Sequence, residues 1–154
     1  MEYELKNDIK MASNLILENS SNYINDGDVI LTYSHSYVVR DFILSACATK
    51  RNTSSTGMDV ICCETFPDLS GQKFAKELAE KGIRTSLIHD AASFSVMSLC
   101  TKVVIGCHAV LANGGVLVTS GGSNLVMVAS QFKVPVIVLT GVYKVGTERE
   151  LLDM

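Results

Sequence analysis

Each of the three histidines stands directly beside a side chain that can share a proton or attack a carbonyl. His35 lies between Ser34 and Ser36, His89 precedes Asp90, and His108 follows Cys107. On paper, Ser34, His108 and Asp90 could make a serine triad. The nucleophile-elbow pattern Gly-x-Ser-x-Gly that would support one is absent. Gly121-Gly122-Ser123 has two readings. Free N–H groups at a helix start can cup an anion, or the glycines can simply allow a tight loop-to-helix turn. No Gly-x-Gly-x-x-Gly follows the first apolar run, and no Gly-x-x-x-x-Gly-Lys-Ser/Thr occurs. A dinucleotide or ATP site of the usual kind is therefore not expected. No close-spaced set of His, Asp and Cys suggests a metal, so neither metal nor cofactor is expected. The cysteines are Cys47, Cys62, Cys63, Cys100 and Cys107, an odd number at spacings that fit no zinc signature or disulfide framework. They read as reduced thiols of a cytoplasmic protein. Adjacent Cys62 and Cys63 should point to opposite faces of a strand.

These residues need elements to position them. Leu5, Ile9, Ala12, Leu15 and Ile16 trace one stripe of a helix over 5–24, stopped by Asn25-Asp26-Gly27-Asp28. The period then shortens. Strands are expected near 28–33, 58–63, 85–88, 102–106 and 135–139. Helices are expected near 36–49, 71–82 and 121–133, with a shorter one over 91–99. Residues 50–57 read as a polar loop. Residues 109–118 are ambiguous, because Asn113-Gly114-Gly115 interrupts their apolar pattern. Strand alternating with helix predicts an α/β fold: a doubly wound, mainly parallel sheet flanked by helices, with one helix in front. Val29, Leu31, Phe42, Val60, Leu78, Val104, Ile105, Val136 and Val138 should form its core. In such a sheet ligands bind at the carboxyl ends of the strands. That rule nominates the loops at Ser34-His35-Ser36, Glu64-Thr65-Phe66, His89-Asp90-Ala91 and Gly106-Cys107-His108, the last running on to Asn113-Gly114-Gly115.

Composition bounds the rest. The 154 residues are 47% hydrophobic and 19% charged, with a net charge of −3. That suffices for one domain with a real core, and gives no basic excess for phosphate contacts with nucleic acid. No apolar run approaches the ~20 residues of a membrane span. The first residues, Met1-Glu2-Tyr3-Glu4, lack the basic start of a signal peptide. Neither a membrane nor a direct nucleic-acid partner is expected.

Several segments carry a stronger signal in order than any one alone. They are Asp28-Val29-Ile30-Leu31-Thr32-Tyr33, Glu64-Thr65-Phe66-Pro67 with Gly71, Asp90-Ala91-Ala92, Val104-Ile105-Gly106, Ala112-Asn113-Gly114-Gly115 and Val142-Tyr143-Lys144. Together they resemble the family that joins the regulatory subunits (alpha, beta and delta) of eukaryotic translation initiation factor 2B with two sugar-phosphate isomerases. Those isomerases act on methylthioribose-1-phosphate and ribose-1,5-bisphosphate. The resemblance covers about residues 27–146. Asp90 to Ser98, Lys102 to Gly106 and Phe132 to Val136 look most like the beta subunit. Pro67 to Gly71 looks more like alpha, and Gly106 to Ala109 is similar to delta.

The resemblance implies a Rossmann-like C-terminal domain over 27–154, with residues 1–26 a remnant of a helical domain. The isomerases use a cysteine after the first strand, an aspartate before Ala-Asn-Gly, and an Asn-Lys pair for phosphate. Ser34, His108 and Val118-Thr119 stand at those positions here. An unassisted serine is a poor acid or nucleophile, histidine supplies no carboxylate, and Val118-Thr119 supplies no cation. The expected function is thus a non-catalytic regulatory and assembly subunit of the guanine nucleotide exchange factor for translation initiation factor 2. Ser34, His35, His108, Asn113, Gly114, Gly121 and Gly122 would be a vestigial ligand pocket. Expected partners are alpha- and delta-like subunits and translation initiation factor 2, with a homodimer when the chain is alone. The alternatives are an aldose–ketose isomerase of sugar phosphates and a stand-alone small-molecule sensor.

Overall fold

Ile30 and Leu31 are neighbours in sequence, and neither has any solvent exposure. Successive side chains of a strand point to opposite faces, so this strand is covered on both. The computed structural model describes residues 16–50 and 57–141. Residues 16–18 are helical and lead into α1 (Ser20–Tyr23). Then follow β1 (Val29–Thr32), α2 (Tyr37–Lys50), β2 (Asp59–Cys63), α3 (Ser70–Glu80) and β3 (Arg84–Ile88). A 3-10 turn at Asp90–Ala92 precedes α4 (Ser93–Met97) and β4 (Lys102–Gly106). Last come β5 (Ala109–Val110), β6 (Val116–Leu117), α5 (Gly122–Gln131) and β7 (Val136–Leu139).

The main sheet has five parallel strands in the order β3-β2-β1-β4-β7. Alternation along the strands sorts its core into two layers. Ile30, Val60, Cys62 and Val104 pack with Val39, Phe42, Ile43, Phe74 and Leu78 of α2 and α3. Leu31, Cys63, Val103 and Ile105 pack with Met97, Leu125 and Ala129 of α4 and α5. Cys62 and Cys63 thus part to opposite faces, and the doubly wound α/β expectation holds. Phe42 and Phe74 are the largest fully buried side chains. Truncating such a ring costs about 3–5 kcal/mol.

Leu31, Phe42, Val60, Leu78, Val104 and Ile105 are buried as expected, but Val29, Val136 and Val138 are only half-buried. Val29 opens its strand. Val136 and Val138 lie on β7, an edge strand whose only neighbour among the described residues is β4. The expected helix over 91–99 is shortened to the 3-10 turn and α4. The ambiguous stretch 109–118 is a β-hairpin, with β5 and β6 antiparallel. Of the helix expected over 5–24, residues 5–15 lie outside the described residues, as do 51–56 of the polar loop and the segment Val142-Tyr143-Lys144.

Candidate functional site

The chain builds β1, β2 and β3 outward in one direction, then crosses back to lay β4 on the other side of β1. The carboxyl ends of β1 and β4 therefore diverge, and a crevice opens between them. It is a cleft of about 230 Å³ lined by Tyr33, Ser34, His35, Ser36, Tyr37 and Val38 after β1, and by Gly106, Cys107, His108 and Thr119 after β4.

Ser34 turns the chain out of β1 with φ 65°, a left-handed conformation uncommon for a residue with a Cβ. Its N–H donates to Thr65 Oγ1 at 2.8 Å. Its hydroxyl lies 3.4 Å from Ser70 Oγ and accepts from Thr119 Oγ1 at 3.5 Å. His108 Nε2 is 3.2 Å from the same Thr119 oxygen. Thr119 thus stands between the two residues that the paper triad would join directly. His108 and Thr119 flank the β5–β6 hairpin, and His108 N donates to Leu117 O at 2.8 Å to close its base.

His35 is held from the other side. Its Nε2 donates to Glu77 of α3, 3.1 Å from Oε1. Its ring meets Tyr37 and Phe74 edge-on, at centroid distances of 4.8 and 5.4 Å. Arg40 Nη1 reaches Glu77 Oε2 at 3.5 Å. Burial pushes the Glu77 carboxyl up, but the His35 and Arg40 hydrogen bonds and charges outweigh it and leave it below its usual range.

Asp90 completes no triad. Its carboxylate accepts from the N–H groups of Thr65 at 2.9 Å and Phe66 at 2.8 Å. It also accepts from the Tyr33 hydroxyl at 3.3 Å. Tyr33 donates at 2.9 Å to Ser120 O as well, so its ring stands between the first cleft and a second. The second cleft, about 420 Å³, includes Asp90, Phe66, Ser93, Gly121 and Asn124. Burial first, and then the Asp90 charge, push the Tyr33 phenol up to about 12.

The expected pocket residues divide. Ser34, His35 and His108 line one cleft, and Gly121 lines the other. Gly121 has φ 92°, and a Cβ there would lie 2.1 Å from the Tyr33 hydroxyl. Gly122 donates its N–H to Thr119 O at 2.8 Å. The left-handed turn and the approach of Tyr33 thus account for Gly121. Asn113 and Gly114 form the tip of the hairpin, where Asn113 Oδ1 accepts from Gly115 N at 2.8 Å. They line neither cleft, because the hairpin carries them away from its base.

Sequence reading missed the tie between His35 and Glu77, which lie 42 positions apart. It also missed Tyr33 as the shared wall. The signal for Tyr33 is an aromatic at the end of a buried strand, facing a glycine that only a close approach requires. Burial raises the thiols of Cys62 and Cys63 to about 12, with the Asp90 charge adding to it at Cys63, and burial raises Cys100 to about 11. Those thiols stay protonated and unreactive at neutral pH. Among the described residues no group of three or more His, Cys, Asp or Glu could hold a metal ion. No helix among them is long and apolar enough to cross a membrane.

A sequence model described as the initiation factor 2 subunit family matches residues 3–152. The chain belongs to that family. It is 40% identical over 141 residues to translation initiation factor eIF2B subunit beta of Dictyostelium discoideum, covering 92% of this chain and 35% of that protein. It is 36% identical over 145 residues to the delta subunit of the same organism, covering 94% of this chain and 22% of that one. Of these two it is nearer to beta. The fold matches a chain of the tetrameric eIF2B-beta2-delta2 complex from Chaetomium thermophilum with a TM-score of 0.81 at 27% identity. That match covers 96% of this chain and 46% of the other. The chain thus spans about a third or less of the length of these two relatives. It matches about half of the solved one.

Proposed function

We propose that this chain is a non-catalytic, beta-type regulatory and assembly module of the guanine nucleotide exchange factor for translation initiation factor 2. The observation that supports it most is membership of the initiation factor 2 subunit family, with higher identity to a beta than to a delta subunit. The chemistry of the first cleft agrees. Aldose–ketose isomerisation moves a proton between neighbouring carbons and needs a positioned acid and base. The cleft has two imidazoles capable of acid–base work, but His35 is tied to Glu77, and no lining lysine or arginine is present to hold a sugar phosphate. Asp90 is committed to the backbone of Thr65 and Phe66, and Glu77 to His35 and Arg40.

In this reading Ser34, His35 and His108 are the remnant of a ligand pocket, with Gly121 and Gly122 shaping its neighbour and Asn113 and Gly114 the hairpin tip. Residues 27–154 are the Rossmann-like assembly domain. The partners are alpha- and delta-like regulatory subunits and translation initiation factor 2, in the cytoplasm. Alone, the chain pairs with itself. The test is the solution mass of the chain, alone and co-expressed with alpha- and delta-like subunits, together with incubation with methylthioribose-1-phosphate and ribose-1,5-bisphosphate. A shared complex without turnover is expected. Turnover that is lost on His108→Ala would replace this function with the isomerase.

A further inference from the structure

The second cleft holds a carboxylate that has no counter-ion among the described residues. Of the residues that line it, only Asp90 is charged. Elsewhere from β1 onward the acids are answered. Asp28, Asp41, Asp59, Glu64, Glu77 and Glu80 each meet a lysine, arginine or histidine. Asp90 forms no such pair among the described residues, and neither does exposed Asp68. Three neutral donors fix the Asp90 carboxylate: the N–H groups of Thr65 and Phe66 and the Tyr33 hydroxyl. They orient it and leave its charge in place. The cleft wall registers that charge. Burial first and then Asp90 raise the Tyr33 phenol, and Asp68 adds to it.

Two of those donors belong to aromatic residues. Phe66 N lies 2.8 Å and the Tyr33 hydroxyl 3.3 Å from the same oxygen, Asp90 Oδ2. Tyr33 is a buried wall of the cleft, whereas the Phe66 side chain is 71% exposed beside it. A carboxylate set between two rings suits a cation, because the ring faces carry negative potential and the carboxylate supplies the counter-charge. A guanidinium fits these groups better than an ammonium. It is planar, stacks on a ring, offers several N–H donors and is less strongly hydrated. The α5 N-terminus opposes a cation, since Gly121 and Asn124 also line the cleft. Its dipole amounts to about half a charge. The full charge of Asp90, reinforced by Asp68, outweighs it.

We propose that this second cleft of about 420 Å³ binds a guanidinium group, with Asp90 as its counter-charge and the exposed Phe66 ring stacked on it. The proposal stands apart from the function proposed above. The guanidinium comes either from free arginine or from an arginine side chain of a partner protein. The α5 N-terminus separates the two sources. The N–H groups of Ser123 and Asn124 have no backbone acceptor among the described residues. They can take the carboxylate of free arginine, which a side chain within a protein lacks.

The test titrates the full chain with arginine capped at both ends (N-acetyl-arginine methylamide), read by amide NMR. Capped citrulline, the uncharged isostere, is the control. Saturable shifts are expected at Phe66, Asp90, Ser93 and Asn124 with capped arginine, and none with citrulline. Phe66→Ala keeps the N–H that holds Asp90 and removes only an exposed ring. It should weaken binding about fivefold. The chain has no tryptophan, so Phe66→Trp places a single fluorophore in the cleft. That variant should bind at least as tightly as the native chain, and its emission should respond to capped arginine and not to citrulline. Free arginine binding more tightly than capped arginine assigns the free amino acid. Equal or weaker binding assigns an arginine side chain of a partner. Absence of saturable shifts, equal shifts with citrulline, or binding that Phe66→Ala leaves unchanged overturns the proposal. None of those results bears on subunit assembly.

Discussion

Asp90 shows what one side chain can do to shape a crevice. Its two oxygens take the N–H groups of Thr65 and Phe66, and Thr65 in turn takes the N–H of Ser34. The turns after β1 and β2 are thereby fixed by a residue that follows β3. Asp90→Ala leaves two N–H groups and the Tyr33 hydroxyl without this acceptor. The expected cost is about 1–3 kcal/mol, read by urea denaturation. Asp90→Asn keeps the size and removes the charge. Tyr33, whose phenol sits at about 12 from burial first and Asp90 second, should then ionise at a lower pH that is still above the ordinary value of 10.0. The ordering follows from the causes: the charge goes and the burial stays. The sign for stability follows too. A phenol raised on folding favours the native state below its unfolded value, and that contribution fades as pH rises through the folded one. Phenolate absorbance against pH in both proteins measures it. A Tyr33 transition unmoved by Asp90→Asn removes this account. The sequence displayed Asp90 beside His89 and invited a triad. Nothing in one dimension reveals that its lone pairs are already taken by backbone groups 24 and 25 positions upstream.

At the scale of elements, buried strands were readable because their apolar runs are short, β-branched and bounded by turns. The central strands β1, β2 and β4 fall within a residue or two of expectation for that reason. The hairpin escaped because two-residue strands hold no period to read. The half-burial of Val136 and Val138 escaped because composition does not tell a central strand from an edge. The turn into α5 was readable as glycine-rich but not as to why. Gly121 is needed twice over, by φ 92° and by the Tyr33 hydroxyl that would lie 2.1 Å from any Cβ. Gly114 has φ 82° and nothing within 4 Å of such a Cβ. Gly114→Ala should therefore cost only the backbone term, about 1–2 kcal/mol. Gly121→Ala should cost that and more, because Tyr33 must leave Ser120 O. It should also lower the Tyr33 transition by opening the site to water. Denaturation midpoints of the two variants, side by side, decide it. Equal losses would mean that the contact with Tyr33 contributes nothing.

The whole molecule is pinned at the other end of its sheet, away from the crevice, by a buried charge at the start of β1. Asp28 is 6% exposed and pairs with Lys102, the first residue of β4. It also accepts from Thr101 Oγ1 at 2.7 Å and from Asn25 N at 2.6 Å. One carboxylate thus ties the two central strands to the turn that feeds them. Burial pushes its pKa up, and the Lys102, Asn25 and Thr101 hydrogen bonds together with the Lys102 charge more than reverse that, so it lies below the ordinary value of 3.8. Glu77 is displaced the same way. A carboxyl lowered on folding stabilises the native state above its unfolded value, and that contribution is lost as pH falls through the folded one. His89 has the opposite sign. Its hydrogen bond to Glu64, and then the Glu64 charge, raise it above 6.5, but the ring is exposed and its effect is correspondingly small. Asp28 should therefore contribute a loss of stability as the pH falls below about 4. Asp28→Asn should be less stable near neutral pH by about 1–3 kcal/mol, because Lys102 loses its counter-charge. Its stability should then fall less between about pH 4 and pH 2, so that the two curves converge in acid. Urea denaturation of both proteins across that range is the measurement. Parallel curves would show that Asp28 is protonated in the native state as readily as in the unfolded one, and the tie between β1 and β4 would then rest on Thr101 and the ladder alone.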